Sequence, residues 1–598
     1  MKRIRFAIAI AATLALGCTS DIIGTTTDPV ASASDDSDPT EALGPYDSIE
    51  DVSFSRTVSI SWSGSSVTVS GDELGIVSVN GSQVTVDSRQ YTDNIKYVLS
   101  GSSSDGFIKI YGSVAQAIVL QGLSLTSSAG AAINNQGHKR TFVVLEGSSS
   151  LSDCAVNSSG SYPGELDTED MKAAFFSEGQ LVFSGSGSLT VTAKGKAAIT
   201  SDDYLRFLGS QSVTATSALG HALRGKDAIC VDSGTIVATA SADGKKAMTS
   251  DGTVTINGGS ITLKVSGGVL STTDSDGNPD LSGSAGIKSD GAFCITGGTL
   301  SITNSGQGGK GISGDSTASF EGGIVNISVT GSNYGSSGGN GGPGGGGGGG
   351  GWPGGGGGWP GGRVWGGQGT TTDNSKSAKG IKFDGDITVS GGTVNVTASS
   401  HEAIESKGKL TVSGGVLYAY SASDDAINSA GDMHLSGGLV CGWSPGNDGI
   451  DANGNLYING ATVYAVCTKG TPEVAVDANT EGGKKLYLQS GVLVAVGGIE
   501  SGSSITGSAY STNSWSKSAW YAVCDKSGSP VLAFKTPSTA GNSTMVVYCN
   551  GASTTLKSGV STSGGTSVWN DCGCADGSVS GGSTVSLSNY SSSGGGRW

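Results

Sequence analysis

Acidic and amide side chains recur in one part of this chain at a fixed interval. Glu402, Asp425 and Asp448 stand 23 residues apart, as do Glu405, Asn428 and Asp451. Asp424 and Asn447 keep the same interval one place before Asp425 and Asp448. Carboxylate and amide oxygens suit a hard cation, and calcium takes roughly six to eight of them in tolerant geometry. If successive copies stack as neighbouring strands, roughly 4.8 Å apart, the acids repel one another and a bound cation relieves the repulsion. The expected metal ligands are therefore Glu402, Asp424, Asp425, Asn428, Asn447, Asp448 and Asp451, with calcium as the ion. A solvated acidic stripe with raised pKa values is the plainer alternative. Upstream the same columns are basic, and Lys310, Lys379 and Lys382 are the expected contacts to an acidic ligand. A salt bridge between Lys379 and Glu402 competes with that role.

The interval belongs to a repeat. A unit of the form small-Ile-x-Ser-x-Gly-x-apolar-x-apolar-x-Gly-Gly-x-apolar-x-apolar is plain at 285–302, 379–396 and 402–418. Its anchor falls at Ile199, Leu223, Met248, Ile287, Ile312, Ile381, Ile404, Ile427 and Ile450. Most steps are 23 to 25 residues, and two longer ones carry insertions. Three short alternating runs per unit, each ended by glycine, predict three strands and three turns. One such unit cannot bury its apolar face, whereas stacked units bury a continuous core. The expected fold is all-β, a right-handed parallel β-helix with about 23–25 residues per coil. It spans 46–498, and 499–598 forms a C-terminal β cap over the open strand edge. Insertions are expected within about 267–284 and at 331–377. The second is a polyglycine tract with Trp352, Trp359 and Trp365, read as a flexible surface loop.

Composition narrows the function. The 598 residues include 103 glycines and carry a formal charge of −16, which argues against nucleic-acid binding. Lys2, Arg3 and Arg5 precede an apolar run that closes at Gly17-Cys18, the pattern of an export signal. The ending at 14–18 resembles a bacterial lipobox, with Cys18 as the lipidated residue. Residues 1–18 are thus expected to be a lipoprotein signal and 19–45 a disordered tether. An exported, membrane-anchored monomer at the cell surface or outer membrane follows, touching the membrane only through its lipid. Cys230 and Cys294 occupy equivalent apolar positions and are read as small core residues. Cys524, Cys549, Cys572 and Cys574 are the better disulfide candidates in an exported chain. The four histidines show no paired metal spacing, and no nucleophile elbow or phosphate loop is present.

The run GNDGIDANG at 446–454, the preceding DDAIN at 424–428 and the Gly-Gly coils resemble a known family. It is the calcium-binding β-helix carbohydrate-binding family of bacterial, clostridial-type cell-surface proteins, similar in fold to pectate lyases. The resemblance runs from about Val52 to the C-terminus. It implies a non-catalytic binder of acidic plant-type polysaccharide, polygalacturonate or cellulose-like. Residues 447–451 also resemble the Asp-Asp-x-x-Asp calcium triplet of family-nine polysaccharide lyases, with Asn447 in place of the first Asp. That implies a calcium-dependent lyase as an alternative, although no lysine is marked as its base. A surface adhesin or spacer, stiffened by calcium, is the third reading.

Overall fold

The computed structural model describes residues 2–3, 47–275, 277–335, 375–539 and 544–592. Cys18, the expected signal apart from residues 2–3, the expected tether and most of the Gly/Trp-rich insertion lie outside the described residues. Among those residues the regular elements are strands, apart from a single 3-10 turn at Ile49–Asp51.

Alternation in the sequence sets the strands. Along Thr393–Ala398 every second residue is buried, placing Val394, Val396 and Ala398 inside. The unit that starts there repeats without change of plan. Lys379–Phe383, Ile387–Val389 and Thr393–Ala398 are followed by Ile404–Ser406, Leu410–Val412 and Val416–Ser421, and then by Ile427–Ser429, Met433–Leu435 and Leu439–Ser444. Each strand pairs in parallel with its counterpart one unit on, so Ile381, Ile404, Ile427 and Ile450 stand in register. Leu410, Met433 and Leu456 form a second buried column, and Leu417, Val440 and Val463 a third. These columns merge into one apolar core running from Val58 to Tyr548. Fully burying each Leu or Ile stabilises the stack by about 1.5–3 kcal/mol.

The turn between the second and third strands needs glycine for a definite reason. Gly415 and Gly438 have φ of +74° and +76°, and a Cβ on either would come within 2.7 Å of the glycine backbone one unit below. Only a residue without Cβ meets both conditions.

The anchor strands belong to a fifteen-strand sheet whose last fourteen members, from Gln83–Asp87 to Val476–Ala478, run parallel. The insertion expected within 267–284 is an antiparallel hairpin of Val269–Thr273 with Pro279–Gly283. Ser504–Ile505 still pairs in parallel with Leu486–Val496, and beyond it the pairing turns antiparallel. Met545–Cys549 lies against that strand and Ala509–Thr512 against Met545–Cys549. A separate antiparallel sheet, including Trp520–Cys524 and Pro530–Lys535, packs against the outside of the stack. There the outward residues Tyr418, Cys441, Tyr464 and Val466 join Tyr521, Phe534 and Trp569 in a second core.

Two cysteine expectations change. The interior takes Ile229 and Val231, Phe293 and Ile295, so Cys230 and Cys294 alternate with core residues and face away from it, although buried. Cys549, Cys572 and Cys574 carry free thiols.

Candidate functional site

The residue after each anchor points outward, and its column along the sheet is Arg224, Thr249, Lys288, Ser313, Lys382, Glu405, Asn428, Asp451 and Asp477. Two residues further along each unit lies a second outward column. Across the early units the two columns neutralise each other. Arg224 pairs with Asp251 at 2.8 Å, and Lys288 with Asp290 and Asp315 at 2.7 and 2.5 Å. Lys382 pairs with Asp384, and Glu405, with the sign reversed, takes Lys407 at 2.5 Å. In the next three units the second column reads Ala430, Asn453 and Asn479. Compensation therefore stops at Asn428, while the first column goes on to Asp451 and Asp477.

The corner before each anchor is built by a serine that ends the preceding strand. Ser421 Oγ donates to His401 O at 2.8 Å and accepts from Asp424 N. Ser444 Oγ donates to Asp424 O at 2.7 Å and accepts from Asn447 N at 2.9 Å. These bonds fix where the acidic side chains leave the backbone.

The seven oxygen-bearing residues expected as one ligand set fall into two groups. In the first, His401 Nδ1 meets Asp424 Oδ2 at 2.8 Å and also contacts Glu402, while Asn447 Nδ2 donates to Asp424 Oδ1 at 3.2 Å. Burial disfavours the imidazolium, but Asp424 and Glu402 outweigh it and push the His401 pKa up to about 9. Burial likewise opposes the Asp424 carboxylate, yet His401 and Asn447 hold it below the ordinary value. A proton on His401 thus compensates this group at neutral pH.

The second group has no such cation. Asn428 Nδ2 donates to Asp425 Oδ2 and to Asp451 Oδ2, each at 3.0 Å. Asp425 Oδ1 accepts from Asp448 N at 3.1 Å, and Asp448 Oδ1 from Val474 N at 2.6 Å. Among the described residues no lysine, arginine or histidine pairs with Asp425, Asp448, Asp451 or Asp477. Burial and then neighbouring carboxylates raise the Asp425 pKa, Asp451 being the foremost neighbour. Burial is also the main cause at Asp448, pushed up to about 7, and at Asp451, pushed up to about 6. Asp477, half-buried and hydrogen-bonded with Glu500, is pushed up to about 10, burial being the main cause. The donors around Asn428 are carboxylate and amide groups without nitrogen or sulfur ligands, a set that fits calcium and not a soft metal.

His401, Asp477 and Glu500 were missed in the sequence. The signal for the last two was the anchor continuing as Val476 and Ile499, which the structure places in register with Ile450 and with each other. His401 shares a column with Asp424 and Asn447, three places before the anchor.

The lysines expected to contact ligand lie on the same sheet. Lys379 is only 8% exposed, and its ammonium sits on Glu402 at 3.0 Å and on Glu405. Burial opposes its charge, but the two carboxylates raise its pKa overall. Lys382 is engaged with Asp384. Lys310 has no ion pair among the described residues. Burial lowers its pKa to about 8, with help from Lys376, Lys379 and Lys382.

The family model for carbohydrate-binding domain-containing proteins matches residues 80–278, 271–426 and 364–514, together more than half of the chain. The chain belongs to that family. Both acidic groups and the three lysines of this carbohydrate-binding-domain protein lie within the matched region. No curated protein matches it. It is similar to a solved polysaccharide lyase-like protein from C. thermocellum, a gadolinium derivative, at 19% identity and a TM-score of 0.30. That match covers 46% of this chain and 92% of the other.

Proposed function

We propose that this protein binds acidic polysaccharide through calcium held on one face of a right-handed parallel β-helix, without cleaving it. The observation that carries this reading is the abrupt end of charge compensation at Asn428. Units before it pair every charge of the first outward column, whereas Asp425, Asp448, Asp451 and Asp477 pair with no lysine, arginine or histidine among the described residues. Asp425, Asp451 and the Asn428 amide would hold the ion, with Asp448 and Asp477 beside them. Calcium needs more oxygens than these supply, and carboxylates of a uronate polymer are suited to complete the shell. Glu402, Asp424 and Asn447 serve the neighbouring His401 group. Lys379 and Lys382 act in the scaffold, leaving Lys310 as the lysine for direct contact. Family membership supports the sugar, and the calcium rests on donor chemistry and charge. The lipobox-like ending at Cys18 supports a surface lipoprotein, acting as a monomer.

Calorimetric titration of the signal-free protein with oligogalacturonides, in calcium and then in chelator, tests this. A calcium-dependent component of the binding, lost on chelation, is expected. Absence of binding in both conditions overturns the reading in favour of a surface spacer or a neutral glycan. Lys310 favours one further reading. A lysine whose pKa burial has lowered toward neutrality is fit to act as a general base, as a calcium-dependent lyase requires. Unsaturated product absorbing in the ultraviolet would establish that alternative.

A further inference from the structure

The opposite end of the anchor sheet carries a recess of 530 Å³, open to solvent. It lies ten strand steps from Asn428, roughly 48 Å at the inter-strand spacing. Tyr111, at the end of Phe107–Tyr111, forms one wall, and Arg89, Gln136, His138, Lys139 and Glu169 complete it.

Four of these side chains, Arg89, Tyr111, Gln136 and Glu169, are held before any ligand arrives. Arg89 makes a two-pronged contact with Asp87, through Nε at 2.9 Å and Nη2 at 2.6 Å, and its guanidinium lies 4.9 Å from the centre of the Tyr111 ring. Tyr111 donates its hydroxyl to Glu169 at 2.5 Å, and Lys109 occupies the other Glu169 oxygen at 2.6 Å. Gln136 Nε2 donates to Asn134 Oδ1 and Asp170 O, both at 2.8 Å, which leaves its carbonyl oxygen for a ligand. Glu169, the lining carboxylate, is thus neutralised from behind. Arg89, His138 and Lys139 gather at one recess in a chain whose net charge is −16.

We propose that this recess is a second carbohydrate site, taking a carboxylate-bearing sugar directly and without a metal ion. Arg89 Nη1, which makes no bond among the described residues, and the His138 imidazole receive the sugar carboxylate, with Lys139 adding charge. Gln136 and the rim hydroxyls of Ser113 and Thr168 meet the ring hydroxyls. A guanidinium already oriented by one carboxylate loses little freedom on meeting a second. The proposal rests on the reading of the chain as a uronate binder. It adds that one polymer can engage both ends of the same face, where linkage raises avidity without new contacts.

The test is titration of the signal-free chain with trigalacturonate and, separately, cellotriose. Each is run in calcium and in chelator, for the unaltered protein and for Arg89→Ala and His138→Ala, with circular dichroism checking the fold. Both residues are exposed, so the variants should fold. Trigalacturonate binding that survives chelation, and weakens about tenfold or more in Arg89→Ala, is expected, as befits loss of a charged hydrogen bond. Cellotriose should bind more weakly than trigalacturonate. Chelator-resistant binding that is indifferent to both substitutions overturns the proposal, as does equal affinity for cellotriose. Binding only in calcium overturns it while leaving the calcium-face reading intact, and absence of binding under every condition overturns both.

Discussion

Asn428 Nδ2 lies 3.0 Å from Asp451 Oδ2, directly across from it on the next strand of the sheet. The same amide nitrogen reaches Asp425 at the same distance. One neutral amide thus stands between two carboxylates that have no cation partner among the described residues. Turned over, it would offer an oxygen in place of its donors, which is what an ion between those carboxylates requires.

Asn428→Asp therefore separates a cation site from a solvated acidic stripe. A third carboxylate raises ligand charge, and calcium affinity follows ligand charge in oxygen-lined sites. The variant should melt lower than the unaltered protein in chelator and bind calcium more tightly. Calorimetry and a thermal melt, each with and without calcium, read both quantities. An equal fall in melting temperature in both media, with no calcium heat, would favour the stripe.

Lys379 carries a different expectation. It is buried between Glu402 and Glu405, themselves 7% and 2% exposed. Removing one partner of a buried ionic group strands the other, at a cost of about 3–5 kcal/mol. Lys379→Ala should lose that much in urea unfolding, while Lys382→Ala, whose partner Asp384 is exposed, should lose less than about 1 kcal/mol. If the two variants lose equal stability and both lose uronate binding, the lysines belong to the ligand site after all.

Much of this arrangement could be read from the chain, because the repeat has one anchor per unit and its step is nearly constant. Registering Ile381, Ile404, Ile427 and Ile450 puts Glu405, Asn428 and Asp451 in one outward column without further information. What could not be read is which charges cancel. Lys407 reaches back to Glu405 within a single unit, and the intended ligand Glu402 is drawn to Lys379 and His401. Both outcomes depend on side-chain direction at a corner, and a count of columns does not contain it. Asp477 and Glu500 were hidden for a plainer reason, since the next step after Ile450 stretches to 26 residues. Cys230 shows the limit of an apolar pattern: the outward face is also buried there, so burial alone does not name the side.

The second core predicts that the C-terminal sheet is part of the stack's own stability. Trp569 is 1% exposed, lies 6.0 Å from Tyr464 between ring centres, and donates its indole nitrogen toward Leu439 O. Tyr464 in turn donates to Lys535 O at 2.9 Å. Trp569→Ala should cost about 3–5 kcal/mol, as large-to-small changes at buried aromatics do. It should also speed hydrogen exchange at Tyr418 and Cys441, residues of the stack's outer face. If exchange changes only within 520–585, the sheet folds independently of the strands it covers.

The acidic face should make calcium's effect depend on pH in a definite direction. Burial, followed by neighbouring carboxylates, raises Asp451 to about 6 and Asp448 to about 7 from an ordinary 3.8. An acid with a raised folded-state value favours folding below its unfolded value and loses that contribution as pH climbs through the folded one. His401, raised from 6.5 to about 9, acts in the same sense at higher pH: its contribution is whole below 6.5 and gone above about 9. The metal-free protein should therefore lose stability steadily from about pH 4 into the alkaline range. Calcium binds only the ionised carboxylates, so the rise in Tm that it causes should be small near about pH 5 and grow through about pH 8. Melts in chelator and in calcium across that range measure the difference. A calcium increment that stays flat with pH would mean that the ion sits away from Asp448 and Asp451, and the ligand set would have to be sought elsewhere on the face.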